Sequence, residues 1–200
     1  AWIAGKDSAT GAIALNSAVS SFVQLPEGVV SALNDFTIAT WFKMPVSQVN
    51  NTRLFDFGND AGTFMVFVPR NGSNVRYKIT CAAGTFDRFI PYTFPLEEWV
   101  HMAISQKGNV FKFYVNGQLQ YADSNANVRP SQMGITRNNY LGKSQFAQDP
   151  YSDHMYDDLR IYNYGLSDEE VSRLANDQEL KKYQTITFPP ISNKSIGDAD

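Results

Sequence analysis

Cysteine, histidine and glutamate are scarce in this sequence, and each scarcity removes a class of chemistry. The one cysteine, Cys81, can form neither an internal disulfide nor a multi-cysteine zinc site. It falls in the alternating run Val75 to Ala82 (VRYKITCA) and reads as a small buried hydrophobe. The two histidines, His101 and His154, lack a serine or cysteine partner in any nucleophile motif, and no G-x-S-x-G elbow occurs. His101, inside an alternating run, reads as structural. Gly142-Lys143-Ser144 fails as a phosphate loop because Arg137 stands where the leading glycine belongs. Basic runs are absent and the net charge is −3, which argues against nucleic acid as the main partner. No apolar stretch approaches the roughly 20 residues of a membrane helix. The chain opens AWIAGKD without an initiating Met and reads as a piece of a longer protein, so a missing leader leaves its location open.

The six glutamates (Glu27, Glu97, Glu98, Glu169, Glu170 and Glu179) form no E-x-D-x-x-E strand of the kind that sets two carboxylates across a glycosidic bond. Asp157 and Asp158 are adjacent in an extended run, so they are expected on opposite faces. An enzymatic role for this chain is not expected.

What is present is β structure. Aromatic residues make up 14% of the chain, and short alternating runs are separated by Gly, Asn, Asp and Pro. Residues 12–16 and 21–26 are expected to form a first hairpin. Phe36 to Met44 alternates Phe36, Ile38, Thr40 and Phe42 against Thr37, Ala39, Trp41 and Lys43, and Trp41 and Trp99 are expected in the core. Asn116-Gly117 predicts a tight turn, because both residues tolerate positive φ, so residues 110–122 should form a hairpin. One helix is credible, capped by Ser167 and Glu170, with Val171 and Leu174 on one face. These elements predict an all-β fold, a two-sheet antiparallel jelly-roll sandwich with one short C-terminal helix over residues 1–180. Residues 181–200, rich in Pro, Ser and Asp, are expected to be a linker and the first strand of a truncated following domain.

Five segments in order (AIALN with FVQLP, DFTIATWFK, EEWVHMAIS with FKFYVNGQL, NYLGKSQ, and DDLRIYNYGLSDEEV) make residues 9–176 resemble the bacterial laminin-G-like, or concanavalin A-like lectin/glucanase, jelly-roll family. The tail resembles the start of an immunoglobulin-like repeat. The resemblance implies a non-catalytic carbohydrate-binding accessory module of a secreted or cell-surface bacterial protein, linked to a glycoside hydrolase. A protein-interaction or adhesion module and a ligand-free spacer are the alternatives, because fold does not fix function. The resemblance also implies a structural calcium ion held by Asp157 with backbone oxygens near Gly5 and Asp7. The residues themselves offer a second account, in which Asp157 accepts backbone N–H groups or pairs with an arginine such as Arg53. Its parity with Leu159 and Ile161 is expected to turn its side chain towards the interior.

Sugar recognition requires an aromatic face and planar polar groups, usually on loops at one rim of a sandwich. The candidates are Asp56, Asn59 and Asp60 in the DFGND segment, a turn with Phe86, Asp87 and Arg88, and Lys143, Gln145, Asp149 and Tyr151 in GKSQFAQDPY. The last segment combines a cation, an amide, a carboxylate and an aromatic ring. Each of these residues also has an ordinary reading as turn chemistry.

Overall fold

The structure is a computed structural model that describes residues 1–7, 11–178 and 180, so the tail at 181–200 lies outside the described residues. In chain order the strands are β1 (Trp2–Ala4), β2 (Gly11–Ala14), β3 (Val23–Leu25), β4 (Phe36–Lys43), β5 (Phe55–Asp60), β6 (Thr63–Asn71) and β7 (Asn74–Cys81). They continue as β8 (Gly84–Ile90), β9 (Trp99–Lys107), β10 (Val110–Val115), β11 (Gln118–Asp123), β12 (Asn138–Leu141) and β13 (Met155–Tyr162), followed by helix α1 (Asp168–Ala175). Two antiparallel sheets result. One has the order β1-β2-β13-β4-β9-β10-β11, the other β3-β12-β5-β6-β7-β8. This is the jelly-roll sandwich expected from the alternation.

The expected first hairpin does not form. β2 pairs with β1 and β13, while β3 pairs with β12 in the other sheet. A short 3-10 turn at Ser17–Val19 carries the chain across, capped by the Asn16 side chain on the Ala18 N–H. Asp153 fixes the turn by accepting the Ser17 N–H at 2.6 Å and the Ser17 hydroxyl at 2.9 Å. Alternation marks two strands but cannot say that consecutive ones belong to different layers. The hairpin at Asn116-Gly117 does form, with φ of 48° and 76°.

Between the sheets lies an aromatic core. Phe36, Phe42, Phe111 and Phe113 from one sheet meet Phe55, Phe57, Phe67, Tyr77 and Phe86 from the other. Tyr77 stacks on Phe111 with centroids 4.6 Å apart and planes 9° apart, and Phe67 lies 5.6 Å from Phe113. Cys81 is half-buried and packs against this cluster. Trp41 and Trp99 are not in it. The β4 register places Trp41 opposite His101, with the rings 5.5 Å apart, on the outer side of the sheet shared with Ala39. That outer side is also covered: Val171 and Leu174 of α1 pack with Ala39, Ala103 and Tyr114. A strand buried on both faces defeats any argument that assigns its larger residues to the interior.

A bulge corrects the expected placement of Asp157. Tyr156 faces the core, but the register shifts between Asp157 and Arg160, and Asp158 adopts φ 49°. The extra residue returns Leu159 and Ile161 to the core and leaves Asp157 opposite Trp41, buried on the outer side.

Three buried titratable groups oppose one another in pH. Burial raises the Asp56 carboxyl to about 6 from 3.8. Burial also lowers His101 to about 4 and His154 to about 3 from 6.5. A carboxyl with a raised folded pKa contributes most to stability below 3.8 and loses that contribution as pH rises through about 6. The histidines contribute fully above 6.5 and lose their contribution as pH falls towards their depressed values. Asp56→Asn is therefore expected to melt above the wild type at pH 8, with the gap closing by about pH 4, in thermal scans across that range. Phe113→Ala should cost about 3–5 kcal/mol in denaturant unfolding, since it removes a fully buried ring from the contact between the layers.

Candidate functional site

Strand β12 ends at Leu141, and Gly142 turns the chain out of the sheet with φ 77°. A Cβ there would lie 2.1 Å from Leu15 Cδ1 and 2.7 Å from Ser152 Oγ, so the position requires glycine. The Ser152 N–H closes the base of the excursion on the Gly142 carbonyl at 3.0 Å. The loop 142–151 then lies over the outer face of the six-stranded sheet. Phe146 packs on Phe64, Val66 and Val68 of β6, with its ring edge-on to Phe64 at 5.5 Å.

Beneath and beside this loop is a polar cluster. Arg53 donates from Nη2 to the Asp149 carboxylate and from Nη1 to the Asn51 carbonyl, and its Nε lies 3.5 Å from Asp56 Oδ2. Ser144 Oγ donates to Asp149 at 2.8 Å. Asp56 accepts the Gln145 N–H at 3.1 Å, and Gln145 Nε2 reaches the Asn138 carbonyl at 2.7 Å. Asp56 is fully buried, so it positions Arg53 and the loop and does not face solvent. Arg53 pairs with Asp56 and Asp149, whereas the sequence offered it as a partner for Asp157.

At the loop's base is a shelf of aromatic rings. The Lys143 ammonium stands 4.3 Å from the Phe22 centroid and 4.4 Å from that of Tyr140. Phe22 and Tyr140 meet edge-to-face at 5.4 Å, and Tyr151 tilts against Phe22 at 6.3 Å. Phe22 is 39% exposed. Phe22 and Tyr140 are not among the loop residues expected from the sequence. Both are out of phase with core-packed Val23, Leu25 and Leu141 and with buried Asn139, which marks them as outward-facing. Their meeting depends on the β3–β12 pairing that the expected hairpin excluded.

The structure thus brings together Asp56, Lys143, Gln145, Asp149 and Tyr151, and leaves Asn59, Asp60, Phe86, Asp87 and Arg88 aside. Asn59 accepts the Arg137 N–H at 2.9 Å and, through its carbonyl, the Asn138 side-chain amide at 2.6 Å, which anchors β12. The expected turn around Arg88 is strand β8, on whose inner side Arg88 lies over Phe86 and donates to Asp123 at 2.6 Å, bridging the two sheets. Asp87 is paired with Arg76, and Asp60 caps the β5–β6 turn.

The N-terminal segment does reach Asp157. Gly5 is buried, Asp7 is exposed, and the Lys6 N–H donates to Asp157 Oδ2 at 3.0 Å. Lys6 Nζ lies over the Trp41 ring at 4.6 Å and pairs with Asp177. Among the described residues no three His, Cys, Asp or Glu side chains gather around a metal position. A cation at Asp157 would therefore take most of its oxygens from backbone carbonyls, a donor type that suits calcium.

Domain 4 of AbnA, a GH43 extracellular arabinanase from Geobacillus stearothermophilus, was solved with arabinotriose and superposes with a TM-score of 0.72. It shares 25% identity over 88% of this chain and 80% of its own. The binding domain of Paraclostridial Mosquitocidal Protein 1 superposes with a TM-score of 0.66 at 21% identity, over 88% of this chain and 45% of that one. The Ruminococcus gnavus IT-sialidase CBM40, solved with α2,3 sialyllactose, gives 0.59 at 18% identity, over 78% and 96% of the respective chains. At these lower identities the likeness is one of fold. No curated protein sequence matches. The family described as the concanavalin A-like lectin/glucanases superfamily, in its laminin-G form, matches residues 16–172. With most of its length matched and both sheets in place, the chain belongs to that superfamily.

Proposed function

We propose that this chain is a non-catalytic carbohydrate-binding module of a secreted, polysaccharide-degrading glycoside hydrolase. Sugar would be held on the rim formed by Lys143, Gln145, Asp149 and Tyr151 with Phe22 and Tyr140, while buried Arg53 fixes Asp149 from beneath. The observation that carries this reading is the Phe22–Tyr140–Tyr151 shelf with Lys143 over two of its rings, beside a guanidinium–carboxylate pair. A sugar ring has an apolar face that suits aromatic carbon, and vicinal hydroxyls that suit a fixed pair of planar groups. Asp149 is held by Arg53 and Ser144, an arrangement that presents a carboxylate for hydrogen bonding. The arabinotriose bound by AbnA domain 4 supports a pentose-containing ligand and an extracellular parent enzyme. Weak single-site affinity would suffice, because linkage to a catalytic domain raises the effective concentration.

The test is retardation on affinity gels containing arabinan, arabinoxylan, levan or galactan. Lys143→Ala and Tyr151→Ala should each weaken binding about tenfold, equivalent to about 1.4 kcal/mol, with the melting temperature unchanged. Capture of a protein ligand with no retardation by any polysaccharide would favour an adhesion module instead.

A structural calcium ion at Asp157, with backbone oxygens near Gly5 and Asp7, is part of the same proposal. It would tie the N-terminal segment to β13. Calorimetry should show the unfolding midpoint falling on addition of a chelator and recovering with excess calcium. An unchanged midpoint would dispose of a tightly bound ion.

A further inference from the structure

We infer that the binding surface continues from this rim across the outer face of β7 and β8, and that the ligand is an extended glycan chain. This rests on the carbohydrate-binding reading and specifies which part of a polysaccharide is held. The outer faces of the two sheets are treated differently. On the seven-stranded sheet α1 covers Ala39, Ala103 and Tyr114. On the six-stranded sheet the loop covers β6 through Phe146. The outward residues of β7 and β8 remain: Arg76, Lys78, Thr80, Thr85, Asp87 and Phe89, all half-buried or exposed.

Their side chains are held in place. Arg76 makes a two-pronged pair with Asp87 at 2.9 and 2.6 Å while its guanidinium lies 4.7 Å from the Phe89 centroid. The Thr80 and Thr85 hydroxyls are 2.6 Å apart. Phe89 is 52% exposed. A half-exposed aromatic ring under a rigid fork, beside paired hydroxyls, repeats the chemistry of the rim on the outer face of these strands. Arg76 and Lys78 against the single carboxylate Asp87 leave the strip with excess positive charge, which favours hydroxyl and carboxylate groups of a sugar chain.

The strip adjoins the rim. Lys78 Nζ stands 5.3 Å from the Phe64 centroid, and that same ring meets Phe146 of the loop. Cross-strand register runs Tyr140, Asp56, Val66, Lys78, Asp87 in one outward row. Three strand steps at about 4.8 Å put Lys78 about 14 Å from Tyr140, and Asp87 about 5 Å further. One monosaccharide cannot span that row, whereas a chain of several units crossing Phe146 can.

The test is isothermal titration of the whole chain with arabino-, xylo- and galacto-oligosaccharides graded from disaccharide to hexasaccharide. For the series that binds, affinity should climb by about tenfold or more between trisaccharide and hexasaccharide, about 1.4 kcal/mol per decade. Phe89→Ala and Lys78→Ala should keep the short-ligand affinity and lose most of that climb, with unchanged melting. Affinity that levels off by the trisaccharide, or a climb that survives in both variants, would overturn the extended surface while leaving the rim intact. Absence of binding at every length in all three series would remove the rim and its extension together.

Discussion

Contact between aromatic rings across the two sheets is the constraint on which the rest of this molecule depends. Tyr77 against Phe111 and Phe67 against Phe113 set the spacing of the layers. That spacing forces each strand's alternation to resolve into one inward and one outward set. The outward set is then free to differ between faces. One face carries α1 and the N-terminal segment, and the other carries the loop with the polar cluster beneath it. Phe22, Asp56 and Tyr140 face outward because a neighbour one position along the chain is committed to the core, and the loop residues are held in turn by contacts with them.

Layer architecture was legible from the sequence because it depends on period-two alternation and on turn residues such as Asn116-Gly117, both local signals. The helix was legible for the same reason: Ser167 accepts the Glu170 N–H at 3.2 Å and Glu170 returns the bond to the Ser167 N–H at 2.8 Å. Layer assignment was not legible. Residues 12–16 and 21–26 look like a hairpin because nothing in a short alternating run records that its partner lies more than a hundred residues away. The same limit hid the shelf. Lys143 and Tyr151 were visible as a mixed loop, but Phe22 and Tyr140 joined them only through long-range pairing. Asp157 was misplaced for a different reason, since a one-residue bulge reverses parity without leaving a composition signal.

The Arg53–Asp56–Asp149 cluster, buried at Arg53 and Asp56 and open at Asp149, links fold to site. Arg53 is shared between a carboxylate fixed in β5 and one on the loop, so the loop's polar tip is tied to the sheet by charge as well as by Phe146 packing. A carboxylate as deeply buried as Asp56 costs stability at neutral pH, which sets the pH response of the whole domain against that of its two buried histidines. In the proposed binding role, fixing the loop from below in this way would reduce the ordering cost of holding a ligand.

The pinched neck at Gly142 and Ser152 has a consequence for how such a domain can diversify. Entry and exit of the loop are fixed at one point by a glycine that admits no side chain and by a single backbone hydrogen bond. The stretches of loop between its anchors (Gln145 on Asp56, Phe146 on β6 and Asp149 on Arg53) can therefore change in length or sequence while the neck holds the ends of the flanking strands in place. A lineage carrying this scaffold could vary that loop and keep its sandwich, and laboratory grafting at the same junction should succeed where the graft retains partners for Arg53 and Asp56.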